Sequence, residues 1–583
     1  MSVEISGLTM RYLRGGVEIG TDVLKNIDLH VKKGERFGIL GPTGSGKTSL
    51  MLCLNGLIPR IQPAIVKGKI VVDGIDLEFA PIEQVSQHLG LVFSNPNLSL
   101  VEILVEDDVA FGPSNLNLSV EEIQKRVRFA IEATRLQGYE RRSTGDLSGG
   151  EMQAVSISGI LAMQTPILAF DEPLTMLDPV GKTTVLNVIK TLSKEQGLTV
   201  IVSEGGNDMD YFSTIVDRIA VLHDGQILKV GTPGEIYSDG ELLRKIGIRP
   251  PQVTRLFQSL GISGKDPPIR IEDGIRELRK LLEAKRLSVR KVARKPTEKG
   301  KSRAEGEPII HVRNLHHVYP GAGGGIIALR GLDLDIYPGE KIGIIGQNGS
   351  GKSTLSYHLI GLLRPTNPDA TVVVDGRDVA NPKTPLQEVI KSINYAFQDP
   401  DAQLCQETIW EEMVYGLRLK GYSEEEVGRR ALEALDLFGI RESRDVPILQ
   451  ASLDLKRFTT IGSLIALEPK ILICDEPTNG LDYEGGKKVM ETLMKLSDER
   501  GMTVIVITHN MELVAEYVER TIVMKDGRIM LDGPTREVFT KHETLRECYL
   551  SSPQVTRIAE ELRDFGASSD LLFVDEAASV LKK

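Results

Sequence analysis

The chain has 583 residues, of which 26% are charged and 41% hydrophobic, and its formal net charge is -11. This composition is typical of an ordinary folded protein, and the acidic balance does not favour nucleic acid as a partner. No apolar run approaches the roughly 20 residues of a membrane-spanning helix, and the N-terminal residues lack the pattern of a secretory signal. The cysteines show no paired spacing, so we expect neither disulfides nor a cysteine metal site.

A glycine-rich loop lies between a predicted strand and a predicted helix in the first half. Phe37 to Leu40 form an apolar strand. The loop that follows has the pattern G-x-x-x-x-G-K-[ST] and consists of Gly41, Pro42, Thr43, Gly44, Ser45, Gly46, Lys47 and Thr48. In such a loop, backbone N–H groups hold phosphate oxygens, the lysine neutralises their charge and the hydroxyl binds Mg²⁺. The pattern therefore predicts a nucleotide site.

An acidic motif follows at the end of another predicted strand. Residues 167–170 are apolar and precede Asp171 and Glu172. Beside a phosphate loop, such an aspartate completes the Mg²⁺ shell and the adjacent glutamate can polarise the attacking water. Between the two motifs lies a stretch made of Leu147, Ser148, Gly149, Gly150 and Glu151.

The second half repeats both motifs in the same order. Ile342 to Ile345 form an apolar strand that precedes a second loop of the same pattern. This loop consists of Gly346, Gln347, Asn348, Gly349, Ser350, Gly351, Lys352 and Ser353. The apolar residues 471–474 then precede Asp475 and Glu476. Alternating strands and helices, with a phosphate loop after a strand, predict an α/β fold with a mainly parallel sheet in each half.

Together these motifs resemble those of the ABC-type ATPases, over nearly the whole chain. The stretch 147–151 matches the LSGG signature of that family. The resemblance implies an α/β fold class with two tandem ABC-type P-loop nucleotide-binding domains. It also implies that the domains pair head to tail within one chain, so that the signature of each caps the γ-phosphate of ATP on the other.

The resemblance implies roles for single residues. Tyr12 and Tyr319 occupy the position of an aromatic ring that stacks on adenine, although a structural role stays open for both. Gln398 matches a glutamine that senses Mg²⁺ and contacts the membrane partner, and His509 matches a histidine that contacts the γ-phosphate. With ATP and Mg²⁺ as cofactors, the implied catalytic residues are Glu476, His509, Gln398 and Glu172. The implied metal ligands are Thr48, Asp171, Ser353, Asp475 and Gln398, and Asp178 and Asp482 match an aspartate that communicates between sites.

The two halves have lost different parts of this set. Ser94 stands where the second half has Gln398, and Gly205 stands where it has His509. Conversely, residues 451–455 read Ala-Ser-Leu-Asp-Leu where the first half has its signature. Leu453 and Asp454 add bulk and negative charge where two glycines let the backbone approach a phosphate.

Head-to-tail pairing collects these losses in one composite site. That site would join the first P-loop to residues 451–455, whereas the second P-loop and the first signature would form a complete site. We therefore expect one catalytic site and one that binds nucleotide but hydrolyses it slowly or not at all. Glu172 survives in the degenerate site, which leaves residual turnover open.

Each half ends in a similar appendage. Pro251 to Arg255 recurs as Pro553 to Arg557, and each stretch opens a predicted amphipathic helix. The appendage is either a packing extension or a standing contact between the halves. The basic segment between the halves is a solvated tether or is attracted to an anionic membrane face. The predicted domains are 1–240 for the first ABC ATPase domain, 241–284 for its mainly helical appendage, 285–306 for the basic flexible linker, 307–540 for the second ABC ATPase domain and 541–583 for its appendage.

The stretches that follow Gln398 and Ser94 indicate which group of ABC-type ATPases the chain resembles. Residues 398–404 and 411–416, with 95–96 and 106–113 in the first half, look like the energising ATPases of energy-coupling factor importers and related cobalt and nickel systems. This resemblance implies an importer of a vitamin or transition-metal ion on the cytoplasmic side of the cell membrane. Its implied partners are a transmembrane coupling protein and a small substrate-capture membrane protein. Asp107, Asp108, Glu411 and Glu412 would either pair with basic residues of the partner or merely solvate a helix start.

Two other functions stay open. One is a fused sugar or nucleoside importer ATPase, whose appendages are expected to differ. The other is a soluble twin-cassette ATPase that acts on ribosomes or DNA. That class favours a long charged insert, an iron–sulfur cysteine set, a coiled coil or a zinc module, and the sequence shows none of them. The solute cannot be named, because a membrane subunit would select it.

Overall fold

The computed structural model describes residues 1–14, 17–18, 20–96, 99–147, 149–175, 177, 179–206, 208–262, 267–290, 306–320 and 325–582. The chain divides into two compact units, Met1–Gly274 and Ile275–Lys583. Within the described ranges, no helix combines the length and the apolar character that crossing a membrane requires.

The first unit is built on a mainly parallel sheet. Its strands, in spatial order, are Gln226–Gly231, Arg218–His223, Arg36–Leu40, Thr199–Glu204, Ile167–Phe170 and Leu89–Val92. Only the pairing of the outer strand Gln226–Gly231 is antiparallel among these described strands. The inner strands are mainly apolar because both faces are covered: Leu168 and Phe170 enter one core, and Ile167 and Ala169 enter another.

An antiparallel sheet and a set of helices provide the two covers of this sheet. Strand Val3–Arg14 pairs with Leu24–Val31, Ala64–Val72 and Val17–Glu18, and Ile75–Asp76 extends the sheet. The helices are Lys47–Asn55, Leu57–Arg60, Ile82–Val85, Val105–Ser114, Val120–Ala133, Gly149–Ala162, Pro179–Gln196, Met209–Phe212, Pro233–Tyr237, Gly240–Lys245 and Gln252–Ser259, with the 3-10 turn Thr144–Asp146. Helix Ile271–Glu283 begins in the first unit and continues into the second.

The second unit repeats this architecture with the same strand order. Its mainly parallel sheet contains Arg528–Pro534, Arg520–Lys525, Lys341–Ile345, Thr503–Ile507, Ile471–Asp475 and Ile393–Ala396. Its antiparallel sheet contains Ile326–Ile336, Ile310–Tyr319, Thr371–Val374 and Arg377–Asp378. The helices are Lys352–Leu359, Leu386–Val389, Ile409–Leu419, Glu424–Phe438, Leu453–Ala466, Tyr483–Arg500, Met511–Tyr517, Thr535–Phe539, His542–Glu547, Gln554–Glu561 and Val574–Val580, with 3-10 turns at Pro400–Ala402, Arg441–Ser443, Ile448–Gln450 and Arg563–Phe565.

The two predicted appendage helices are present. Helix Gln252–Ser259 buries Val253, Leu256 and Phe257, and helix Gln554–Glu561 buries Val555, Ile558 and Ala559. A short strand, Ser288–Val289, pairs antiparallel with Leu581–Lys582 inside the second unit. This strand falls within the predicted linker, of which residues 291–305 lie outside the described residues. The domain boundaries themselves stay a prediction.

Two buried histidines distinguish the core of the second unit from that of the first. The His317 and His358 rings meet edge to face, with centroids 4.8 Å apart. Met10 and Cys53 occupy the matching places in the first unit and are also buried. Burial, with His317 and Arg364 nearby, lowers the pKa of His358 to about 3. His358 is therefore neutral in the folded protein at neutral and mildly acidic pH.

Acid should destabilise the second unit through His358. An unfolded histidine has a pKa near 6.5, so the unfolded chain takes up a proton as the pH falls below about 6.5, whereas the folded chain does so only near 3. The free energy of unfolding should therefore fall by about 2 kcal/mol from this residue between pH 7 and pH 5. His358→Cys, which copies Cys53, should lose that part of the pH dependence. Urea unfolding followed by fluorescence of Trp410, the single tryptophan, measures it. The comparison is confined to pH values below about 7.5, because the introduced cysteine ionises in the unfolded chain near its ordinary pKa of about 8.5. Equal slopes of wild type and variant below pH 6.5 would contradict the prediction.

Candidate ATP sites

Both glycine-rich loops lie at the carboxyl edge of their parallel sheets. Each follows an inner strand, Arg36–Leu40 or Lys341–Ile345, and helices begin at Lys47 and Lys352. The residue before each helix is a glycine with positive φ, 104° at Gly46 and 99° at Gly351. Only glycine adopts this conformation readily. The turn points successive N–H groups of the loop and helix start toward one place, which suits phosphate oxygens.

The two loop lysines lie over their own loops. Lys47 Nζ donates to Gly41 O at 2.7 Å and to Pro42 O at 2.9 Å. Lys352 Nζ donates to Gly346 O at 2.7 Å and to Gln347 O at 2.8 Å. The predicted loop residues are thus brought together in both units, with their ammonium groups at the phosphate position.

A hydroxyl and a carboxylate converge beside each loop, as a Mg²⁺ site requires. Thr48 Oγ1 donates to Asp171 Oδ2 at 2.7 Å, and Ser353 Oγ donates to Asp475 Oδ2 at 3.2 Å. Burial raises the pKa of both aspartates. Oxygen ligands of this kind, completed by phosphate oxygens and water, fit Mg²⁺. Mg²⁺ would be held there by these residues and would neutralise phosphate charge.

Each aspartate has a further hydroxyl partner, but from a different element in each unit. In the second unit, Tyr395 OH donates to Asp475 Oδ2 at 2.6 Å. In the first unit, Leu91 takes the place of this tyrosine, and Ser203 Oγ donates to Asp171 Oδ1 at 2.6 Å instead. Ser203 stands where the second unit has Ile507. Sequence reasoning missed this exchange, whose signal is a serine at the end of an apolar strand.

Glu476 is held in place by two neighbours on the adjacent strand end. His509 Nδ1 lies 2.7 Å from Glu476 Oε1, and Thr508 Oγ1 donates to Oε2 at 2.9 Å. The His509 backbone N–H also donates to Oε1, at 3.0 Å. Although burial opposes ionisation, His509 and Thr508 lower the pKa of Glu476. This carboxylate is therefore ionised and oriented, as a group that polarises water must be.

Glu172 has a different environment. Glu172 Oε1 lies 3.1 Å from Lys47 Nζ, so its carboxylate is turned toward the loop lysine. Gly205, in the place of His509, offers no side chain: a Cβ built there would lie 3.3 Å from Glu172 Oε1. The Glu172 carboxylate thus lies so close to the backbone of Gly205 that a side chain there would crowd it, whereas the other unit has the imidazole of His509 at that place.

A third acidic residue approaches the first-unit site. Glu204 takes the place of Thr508 and accepts hydrogen bonds from Gly206 N at 2.9 Å and Asp208 N at 3.2 Å. Burial, together with Asp208 and Glu172, raises the pKa of Glu204 to about 7. Lys182 offsets part of this charge through an ion pair of 2.6 Å with Asp208. The sequence alone did not identify Glu204 as part of this site.

The remaining predicted residues lie at the edges of the sites. Gln398 is exposed directly after strand Ile393–Ala396, and Ser94 is half-buried after Leu89–Val92. Tyr12 OH lies 2.8 Å from Ser49 Oγ, and Tyr319 OH lies 3.3 Å from Thr354 Oγ1, so both rings are tied to the phosphate-loop helices.

The two signature segments open equivalent helices. Gly149 and Gly150 begin helix Gly149–Ala162, and Glu151 is hydrogen-bonded to Tyr139. Ser148 and Asp178 lie outside the described residues. In the second unit, Leu453 and Asp454 begin helix Leu453–Ala466. A helix N-terminus attracts anions, and Asp454 provides a negative charge within that first turn.

The structure corrects the hypothesis about the acidic residues. Asp108 Oδ1 accepts from Val101 N at 2.7 Å and Glu102 N at 2.9 Å. Glu412 Oε2 accepts from Cys405 N at 2.9 Å and Gln406 N at 3.0 Å. Both carboxylates are buried and hold a loop of their own unit, so neither is available to a basic partner. Asp107 is exposed, and Glu411 closes a capping box at the start of its helix.

A family comparison decides the identity of the two units. A model described as ABC transporter matches residues 24–175 and 329–479. The chain belongs to the ABC transporter family. As an ABC ATPase it binds and hydrolyses ATP with Mg²⁺, and the predicted fold class of two tandem P-loop domains is confirmed.

Relatives of this ABC ATPase share its tandem length. A protein of Caldanaerobacter subterraneus subsp. tengcongensis, named as an ABC transporter ATP-binding protein, is 36% identical over 99% of this chain and 98% of its own length. A protein of the same naming from Methanosarcina acetivorans is 36% identical over 96% of this chain and 91% of its own. Among solved structures, CbiO1 of Clostridium perfringens, part of the ABC transporter complex CbiONQ, is 33% identical over 44% of this chain and 100% of that chain, with a TM-score of 0.38.

Proposed function

We propose that this ABC ATPase energises a membrane importer of a vitamin or transition-metal ion, and that only one of its two ATP sites hydrolyses rapidly. The observation that carries the catalytic part is the contrast between the two glutamates. Glu476 is oriented by His509 and Thr508, whereas Glu172 is paired with Lys47 at 3.1 Å. A base must be within reach of its water and correctly aimed, which favours Glu476 as the catalytic group.

The proposed catalytic site is composite. The second-half P-loop, Gln398, Glu476 and His509 would be completed by the first-half signature around Gly149 and Gly150. The other site would join the first P-loop to the helix start at Asp454, whose charge opposes a γ-phosphate. In that site Gly205 also has no side chain that could contact the γ-phosphate, as His509 would in the other site. We therefore propose slow or no hydrolysis there, with nucleotide still bound by the first P-loop.

The proposed link to a membrane partner rests on exposed apolar residues after Ser94. Val101 is 62% exposed and Ile103 is 74% exposed. Asp108 holds the intervening backbone through Val101 N and Glu102 N, so the loop presents both side chains to solvent in a fixed shape. Apolar side chains on an ordered loop suit a protein interface. The partner we propose is the cytosolic helix of a transmembrane coupling protein.

Val101→Asp combined with Ile103→Asp should release the membrane partner. Loss of two apolar contacts should lower the amount of co-purified membrane protein by about 10-fold or more. ATP binding by the variant should stay within about 2-fold, because neither residue lies in a phosphate loop. The measurement is pull-down of the tagged ATPase from detergent-solubilised membranes, with a nucleotide titration on the same sample.

A matched control is Val120→Asp, at a residue that is 69% exposed and begins helix Val120–Ala133. It adds one of the two negative charges that the double variant adds, and it should leave co-purification unchanged. Undiminished co-purification by the double variant would remove Val101 and Ile103 from the coupling surface. If the wild-type protein retained no membrane protein at all, the importer assignment itself would be wrong.

A further inference from the structure

A buried arginine ties the altered signature helix to the loop that carries Gln398. Arg457, on helix Leu453–Ala466, is 2% exposed. Its Nη1 donates to Phe397 O at 3.0 Å, and its Nη2 donates to Gln398 O at 2.7 Å and to Asn479 O at 3.4 Å. One guanidinium therefore holds two loops that border the ATP site of the second unit.

Nearby carboxylates favour this position of Arg457, in addition to its hydrogen bonds. Burial lowers the pKa of Arg457, but Asp399, Glu476 and Asp475 oppose that effect. A buried cation costs much free energy unless it is compensated. Here backbone carbonyls and the carboxylates of the ATP site provide the compensation, so the arginine and the site are electrostatically coupled.

The first unit has a weaker contact at the matching place. Gln153 is equally buried, and its Nε2 donates to Phe93 O at 3.3 Å. A neutral amide with one long hydrogen bond restrains a loop less than a charged fork that binds three carbonyls. The stronger contact thus lies in the unit that carries Gln398 rather than Ser94.

Two further contacts of the same helix act on the same loops. Lys456 Nζ lies 2.6 Å from Asp401 Oδ1, beyond Gln398. Leu453 packs on Gly480, where a Cβ would come within 2.4 Å of Leu453 Cδ2. Leu453 of the altered signature and Lys456 just after it therefore contact the loops that carry Asn479 and Gln398 within their own unit.

We propose that Arg457 is a positioning residue, which sets Gln398 for Mg²⁺-dependent hydrolysis at the second-half P-loop. This inference rests on the proposed function, because it takes that site as the catalytic one. Helix Leu453–Ala466 lacks the signature glycines, but under this inference it still contributes to catalysis, because it fixes the geometry of the ATP site in its own unit. The partner of Arg457 is the backbone of 397–398, so its effect on ATP passes through Gln398.

The test is a double-mutant cycle in the full-length protein. Arg457→Gln, which copies Gln153, should lower kcat about 10-fold, since small misplacements of a catalytic group have effects of this size or larger. The KM for ATP should change less than about 3-fold, because the phosphate loop is untouched, and half-maximal activity should require more Mg²⁺. In a Gln398→Ala background, Arg457→Gln should change kcat by less than about 2-fold, since both substitutions remove one coupled contribution.

Arg430→Gln is the matched control. Arg430 belongs to the same helical layer, pairs with Glu468 at 2.7 Å and lies over the Tyr422 ring, but it contacts neither loop. It should leave kcat within about 2-fold. Thermal unfolding of each variant separates loss of folding from loss of positioning. If Arg457→Gln does not fold, Arg457→Lys takes its place, and it should lower kcat at least about 3-fold because an ammonium lacks the planar fork.

The outcomes separate the two hypotheses. If Gln398→Ala left kcat unchanged, the role of Gln398 in the proposed function would be wrong, and the inference would fail with it. If Gln398→Ala lowered kcat but the two substitutions were additive, only the inference would be wrong. An unaltered kcat in folded Arg457→Gln, or in Arg457→Lys where that variant is used, would overturn it too.

Discussion

Glu476→Gln should lower the steady-state rate of phosphate release on the order of 10²-fold or more. Glu172→Gln should leave most of that rate. The reason is the difference in orientation: His509 Nδ1 lies 2.7 Å from Glu476 Oε1, whereas the nearest cation to Glu172 is Lys47 at 3.1 Å. A glutamine keeps the shape of either side chain but cannot accept a proton, so the comparison isolates the base.

His509→Ala provides an independent check on the same site. It removes the imidazole that orients Glu476 and should also reduce turnover on the order of 10²-fold. Nucleotide binding to each variant, measured with a fluorescent ATP analogue, shows that the loss lies in hydrolysis. Comparable losses from Glu476→Gln and Glu172→Gln would mean that both sites turn over, and the asymmetric assignment would be abandoned.

The architecture was accessible from the sequence because its signals are local. Apolar strands that end in a glycine-rich loop or in Asp-Glu predicted the carboxyl edge at which Thr48 meets Asp171 and Ser353 meets Asp475. The short Val-Thr-Arg helices followed from a 3.6-residue period. Repetition strengthened each prediction, since the same elements recur in the same order in both units.

The contacts that distinguish the two sites could not be predicted from such local sequence patterns. The Lys47–Glu172 pair depends on side-chain orientation, which Gly205 permits by leaving space. Asp108 and Glu412 look like exposed charges at a helix start, yet both are buried on loop N–H groups. The contact from Arg457 to Gln398 O spans 59 positions in sequence. No periodicity or motif spacing encodes such long-range hydrogen bonds to backbone carbonyls.

Several differences between the two sites involve more than one position, and the second change makes up for the first. Where Tyr395 is replaced by Leu91, Ser203 supplies the hydroxyl to Asp171. Where the signature glycine becomes Leu453, Gly480 provides the space that this side chain fills. Such compensation is compatible with a folded unit on both sides of the exchange. Under the proposed function, the altered positions therefore change hydrolysis at one site while both units keep the same fold.

Gly150→Asp should abolish rapid hydrolysis although it lies in the half remote from Glu476. Gly150 matches Asp454, so the substitution gives the intact signature the charge of the altered one. A Cβ at Gly150 would lie 3.6 Å from Gly181 Cα and 3.9 Å from Leu177 Cδ2, which are ordinary contacts, so the helix can accept the side chain. The carboxylate would then repel the γ-phosphate at the proposed composite site. We expect phosphate release to fall on the order of 10²-fold, as for loss of a key electrostatic contact.

Two control variants separate the effect of the added charge from the effects of side-chain size and of the position of the charge in the chain. Gly150→Asn has nearly the same shape without the charge and should retain more activity than Gly150→Asp. Asp454→Ala removes the matching charge from the second unit and should leave the fast rate within about 2-fold, because under the proposed pairing that helix start would belong to the slow site. Steady-state phosphate release at saturating ATP and Mg²⁺ measures all three. Full activity of a folded Gly150→Asp protein would exclude the first-half signature from the catalytic site. Glu476 would then act without a signature segment from the other half over the γ-phosphate, and the head-to-tail assignment would be wrong.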